Sequence, residues 1–237
     1  YNLCFGFGIQ GKVDTKRLGA FLSDTVQRHE ALRTSVGIDD KTGEWVQRVE
    51  SASSRPVAVV QRTVPAGTLQ AAILGARNTV LDPSKGDVLR CFLITEQGAP
   101  AGNSTLVFVV HHVAFDGWSM RLLFDEIGAR SEAKALEPLP LTYVDYTLHE
   151  LRMLADDELA ESMQFWKHKL ENAQSSVLDL PLDRPRPAQR TMRAGYVELQ
   201  LAPLVEKGLE AWQKQTGSTR FTTILATVQL LLHRCSQ

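Results

Sequence analysis

The stretch VFVVHHVAFDGWSM, residues 107–120, decides how the rest of the chain is read. With Leu106 it opens on the run LVFVV, a buried strand by its uninterrupted apolar character. The run ends in His111 and His112, loops through Val113, Ala114 and Phe115, and reaches Asp116, Gly117, Trp118 and Ser119. Met120, Leu123, Phe124 and Ile127 then recur at helical spacing, so a helix follows. A strand-to-helix turn holds side chains at a sheet edge between two rigid elements, which is where folds place reactive groups. Gly117 is expected to let the backbone turn where other residues resist it, and Ser119 to cap the helix.

Two neighbouring histidines raise the question of a metal. On extended backbone, adjacent side chains point to opposite faces, so one ion does not readily take both. Asp116 adds one ligand at most, whereas zinc needs three or four, and no other His/Cys cluster lies nearby in sequence. The expectation is therefore no metal. The local pattern also outweighs a pair of structural strand-end histidines, because a buried strand, a loop, Asp-Gly and a helix follow one another here.

Around this centre the chain has 237 residues, enough for one large domain or two smaller ones. Hydrophobic residues make up 43%, charged residues 22%, and the net charge is −1, the balance of a globular protein. No basic cluster suits nucleic acid or an anionic membrane surface, and no apolar run reaches membrane-spanning length. The first residues, YNLCFGFGIQ, lack the basic start and cleavage site of a signal peptide. Cys4, Cys91 and Cys235 are odd in number and form no C-x-x-C pair, so they read as reduced core thiols of a cytoplasmic protein. The chain starts inside a strand pattern and stops on an apolar helix, and is read as a piece of something larger.

Leu3, Phe5, Phe7 and Ile9 alternate as one face of a strand. Asp14 stands as N-cap of a helix with Leu18, Phe21, Leu22 and Val26 on one stripe. Strands are expected at 44–50 and 56–64, a helix at 68–80, and a strand pair at 88–95 and 105–110. Helices are expected at 142–154 and 156–172, a proline-rich linker after them, a strand at 195–201, a helix opening at Pro203, and an apolar helix at 221–232. The order gives an α/β (mixed α+β) lobe followed by a second group of elements.

Several segments together carry a resemblance. HHVAFDG (111–117) fits H-H-x-x-x-D-G, and RHEALRT (28–34) fits R-H-E-x-L-R-T. YVDYTLHE (143–150), QFWKHKLENA (164–173) and LPLDRPRP (180–187) resemble three further segments. In this order and rough spacing they resemble the condensation domains of nonribosomal peptide synthetases, across nearly the whole chain. His149 stands at or beside the place where that family often has tryptophan, and most of its C-terminal lobe is missing here. The resemblance implies a chloramphenicol acetyltransferase-like lobe, with a mixed β-sheet flanked by helices, and the start of a second similar lobe. It places the N-terminal lobe at 1–180, an inter-lobe linker at 181–194, and the truncated C-terminal lobe at 195–237.

The resemblance also implies a reaction. An acceptor aminoacyl amine attacks a donor acyl or peptidyl thioester, each carried on the phosphopantetheine arm of a carrier protein, and an amide forms. His112 is then the active-site histidine, acting as general base or by positioning the amine. His111, Asp116, Gly117 and Arg33 support it, with Trp118 and Ser119 as further support by packing and capping. Asp116 is expected to pair with Arg33 as a buried salt bridge; removing one partner of such a pair costs about 3–5 kcal/mol. No cofactor is bound directly. Implied partners are donor and acceptor peptidyl carrier domains, an adenylation domain of the same synthetase, and the remaining half of the condensation domain. The alternatives are an acyl-coenzyme A-dependent acyltransferase of the same fold, an epimerisation domain, and a non-catalytic relative that docks carriers. The amino acids joined and the natural product are not legible.

Overall fold

The computed structural model describes every residue except 52–55, 174–177, 179, 186, 190–196, 198 and 237. The alternating N-terminal residues form β1 (Asn2–Ile9), and α1 (Thr15–Arg28) follows. Asp14 caps α1, its carboxylate accepting the Arg17 amide at 3.0 Å. A 3-10 turn at Glu30–Arg33 leads into β2 (Thr34–Ile38), which pairs antiparallel with β3 (Trp45–Val49) as a two-stranded sheet. Then come β4 (Val59–Val64), α2 (Leu69–Arg77), β5 (Leu89–Glu96) and β6 (Ser104–His111). Next are α3 (Gly117–Ser131) and α4 (Tyr143–Ala155). The last elements are α5 (Ala160–Leu170), α6 (Pro203–Thr216) and α7 (Arg220–Cys235).

The main sheet has the strand order β1-β6-β5-β4. β1 and β5 both pair antiparallel with β6, whereas β4 joins β5 in parallel through the α2 crossover, so the sheet is mixed. Its centre is buried on both faces, which explains the uninterrupted apolar run of β6. On one face Leu106, Phe108 and Val110 of β6 pack with Cys91 of β5, Leu22 and Val26 of α1, and Met120 and Leu123 of α3. Leu3, Phe5, Phe7 and Ile9 of β1 join that side. On the other face Val107 and Val109 pack with Phe92, Ile94 and Ala76 of α2. Full burial of a side chain such as Phe108, with no exposed surface, is worth about 2–3 kcal/mol.

The described chain divides into two compact units, Tyr1–Glu158 and Leu159–Gln237. The first holds both sheets and α1–α4. In the second, α6 begins with Pro203, ends on Gly217 in left-handed backbone (φ 67°), and is tied to α7 by Arg220–Glu206 at 3.3 Å. The boundary falls ahead of the expected linker at 181–194.

Two expectations need correction, and a third cannot be compared. β2 was not foreseen, because it presents buried Thr34 and Ser35 rather than an apolar face. Cys235 is exposed, not a core thiol, while Cys91 is buried and Cys4 partly so. The expected strand at 195–201 overlaps residues 195, 196 and 198, which lie outside the described residues.

Candidate active site

Period-two geometry sets the two histidines apart. Leu106, Phe108 and Val110 face α1 and α3, and His112 is next in that phase. Its side chain lines a cleft of about 400 Å³ together with Thr25 and His29 of the α1 end, Asp116, Leu122 of α3, and Tyr143 of α4. His111 is not among the cleft's lining. Its Nδ1 accepts the Val113 amide at 3.1 Å, and its own amide donates to Val88 O at 2.8 Å. Burial lowers the His111 pKa, favouring the neutral ring that this acceptor role requires.

The His112 ring has no hydrogen-bond partner among the described residues. Its backbone amide donates to Tyr1 O at 2.9 Å, and its ring stacks on that of Tyr1, with centroids 5.1 Å apart and planes 21° apart. Both imidazole nitrogens are thus unclaimed, and one lone pair is open to an incoming N–H.

Asp116 is occupied by the helix it starts. It is the N-cap of α3, and its Oδ1 accepts the Ser119 amide at 2.8 Å and the Ser119 hydroxyl at 2.7 Å. The Ser119 hydroxyl oxygen in turn accepts the Asp116 amide at 3.3 Å, closing a capping box. The Ser119 hydroxyl, then its amide, hold the Asp116 carboxyl below its ordinary pKa. The cap is therefore Asp116, with Ser119 reciprocating from the third helical position.

The expected Arg33–Asp116 pair is not formed. Arg33 donates to Glu50 O at 2.7 Å and Gln27 O at 3.4 Å, and lies 3.5 Å from Glu30. It ties the 3-10 turn to the end of β3, and its buried Nε has no partner among the described residues. Gly117 also differs from expectation. Its φ is not positive, and nothing lies within 4 Å of where a Cβ would sit, so no backbone constraint demands glycine. Trp118 is 68% exposed, outside the cleft's lining, with the Arg121 guanidinium 5.8 Å from its ring centroid.

The structure adds a polar cluster that sequence reasoning missed. Glu126, buried on α3, accepts from Arg28 Nε at 2.9 Å and contacts His29 Nε2 at 2.7 Å through the same oxygen. Its second oxygen takes the Thr25 hydroxyl at 3.4 Å and lies 3.9 Å from Arg130. His29 thus joins the cleft wall with one nitrogen committed to Glu126. Arg28 and His29 stand in the quoted RHEALRT segment, but their acidic partner is about 100 positions away, and no spacing rule marks it. Among the described residues no three His, Cys, Asp or Glu side chains gather into a metal-holding group.

A family model for the condensation domain matches residues 1–237. The chain belongs to the condensation-domain family. Its relatives include phosphinothricin tripeptide synthetase PhsC of Streptomyces viridochromogenes, 32% identical over all of this chain and 22% of that protein. Another is a probable non-canonical nonribosomal peptide synthetase, CymA, of Salinispora arenicola, 32% identical over 99% of this chain and 3% of that protein. Among solved structures, the X-domain from teicoplanin biosynthesis matches with a TM-score of 0.78 and 27% identity, over 99% of this chain and 52% of that one. That X-domain was also solved in complex with OxyB. The chain thus spans about half of its structural relative and a small part of each synthetase. Its sheet, helices and relatives agree on the chloramphenicol acetyltransferase-like fold of condensation domains.

Proposed function

We propose that this chain carries the histidine wall of a site that forms an amide between a donor acyl or peptidyl thioester and an acceptor aminoacyl thioester. The observation that carries the reading is His112, delivered by β6 into the α1–α3 cleft with its ring nitrogens unclaimed. The acceptor nitrogen bonds to the donor carbonyl carbon, and the carbon–sulfur bond breaks. The proton lost by nitrogen passes to His112 and on to the departing thiolate, giving an amide and a free thiol. A thioester is already activated, so orientation and one well-placed proton acceptor account for most of what the protein must supply. Neutral imidazole suits the role near pH 7. The Gly117 amide, at the start of α3, is the proposed donor to the tetrahedral oxyanion, where the helix dipole favours negative charge.

In this reading both substrates arrive on phosphopantetheine arms of carrier domains, and the chain binds no cofactor of its own. An adenylation domain loads the carriers, and the other half of the condensation domain supplies the opposite wall. Residues 1–180 and 195–237 belong to its two lobes, with 181–194 between them. In this reading the reaction takes place in the cytoplasm.

His112→Ala tests the chemistry. The variant is expected to bind loaded carriers and to lose amide formation by at least about a hundredfold. Turnover of free acyl-coenzyme A with a small acceptor would replace this reading with that of a soluble-substrate acyltransferase. A docking role is the second reading, supported by the X-domain relative solved with OxyB. It predicts carrier or partner binding with no amide formed by either protein.

A further inference from the structure

We propose that Tyr1 is the positioning residue for His112, a role that rests on His112 being the reacting histidine. Two independent period-two patterns bring the rings together. Along β1, Leu3, Phe5, Phe7 and Ile9 face α1 and α3, and Tyr1 is next in that phase. Along β6, Leu106, Phe108 and Val110 face the same way, and His112 follows them. The register pairs Asn2 with His111, and the next rung is closed by the His112 amide donating to Tyr1 O at 2.9 Å. Residues opposed across an antiparallel ladder keep their side chains in contact on one face. The stack at 5.1 Å and 21° is therefore set by the sheet, not by a chance surface rotamer.

The stack does what a carboxylate does elsewhere. In a Ser-His-Asp arrangement the acid fixes the plane of the imidazole. Here the Asp116 carboxylate is committed to Ser119, and no hydrogen bond among the described residues holds the His112 ring. The Tyr1 face sets the ring plane instead. Because it uses the imidazole face, both nitrogens on the ring edge stay open to amine and thiolate. The same face supports the imidazolium that forms when His112 takes the amine proton. Within this chain Tyr1 is 85% exposed and no core residue packs on it as the sheet residues do on Phe108, so urea melts of the variants are compared with wild type to keep positioning apart from stability.

The test compares Tyr1→Leu and Tyr1→Phe in the full-length protein that carries this chain. Amide formation is followed with donor- and acceptor-loaded carriers, alongside NMR of the His112 ring protons assigned by His112→Gln. Tyr1→Leu is expected to lower kcat about tenfold with KM for both carriers unchanged, the signature of lost geometry rather than lost binding. Tyr1→Phe keeps the ring and is expected to keep kcat. The His112 ring protons should move downfield in Tyr1→Leu, as the ring current is lost, and stay in place in Tyr1→Phe. Full kcat in Tyr1→Leu, equal loss in Tyr1→Phe, or an unmoved resonance in Tyr1→Leu overturns the proposal. A wild-type protein that makes no amide sinks the functional reading instead, and the resonance shift then decides the stack alone.

Discussion

His112 and Asp116 lie on the same short loop, yet the structure gives them unrelated tasks: one offers ring nitrogens to a cleft, the other ends a helix. The cysteines show the same dependence on surroundings. Burial pushes the Cys91 thiol up to about 12, so almost no thiolate exists near neutrality. Cys4, half-buried, is also raised, by burial opposed by Arg77, whereas Cys235 is exposed. Iodoacetamide at pH 8 should label Cys235 in the native protein and leave Cys91 unmodified until denaturant is added. Rapid native labelling of Cys91, read by peptide mass, would contradict the two-sided sheet burial.

At the scale of elements, the Asp116–Ser119 box and the Glu126 cluster hold α3 in different ways. The box satisfies amides at the helix start, worth about 1 kcal/mol. Asp116→Ala should lower stability by that amount in urea melts; a loss above about 3 kcal/mol would restore the buried Arg33 pair expected from sequence. The pH dependence follows from the depressed Asp116 pKa. A carboxyl held low in the fold contributes stability above its unfolded value, near 4, and loses that contribution as pH falls through the lower folded value. Asp116→Asn caps without titrating, so its stability relative to wild type should rise only in that acid window. The Glu126 cluster pins α3 to the end of α1 through Arg28, His29 and Thr25. Glu126→Ala leaves Arg28 and Arg130, only 20% and 15% exposed, without their carboxylate, and is expected to cost about 3 kcal/mol. Equal urea midpoints for wild type and variant would refute that cost. Elements with a strong apolar signal, the helical stripe of α1 and the continuous run of β6, were legible in the sequence. The partners of Arg33 and Glu126 were not, because contacts between elements are set by packing, and a motif names residues without naming what they touch. Gly117 shows the reverse error, since a glycine beside a turn suggests a strained backbone that the helix start does not contain.

At the scale of the molecule, the first unit depends on one strand pair. Phe108 has no exposed surface and lies on the sheet face covered by α1 and α3, with Phe7 and Phe124 edge-on to its ring. Phe108→Ala is expected to cost about 3–5 kcal/mol and to unfold much of the sheet-bearing unit at 37 °C. Retained near-ultraviolet circular dichroism at that temperature would show a core able to collapse around the gap. The mixed sheet flanked by helices could be read from the order of elements and from the motifs that mark the family. The two-sided burial of β5 and β6 explains why those strands gave the clearest signal. β2, which buries Thr34 and Ser35, gave the poorest.

The pairing of β1 with β6 sets a timetable. Phe5 lies opposite Phe108, so β1 has no strand partner until about a hundred further residues have been made. At roughly 5–20 residues per second, that strand waits on the order of 5–20 s during synthesis. Until it docks, the sheet lacks one edge and His112 lacks the rung that holds its backbone. The His112 end of the cleft is thus completed late, and nascent chains pass through a stage in which β1 has no strand beside it. Pulse-chase proteolysis of stalled nascent chains should find protection of residues 1–9 only after β6 has left the ribosome.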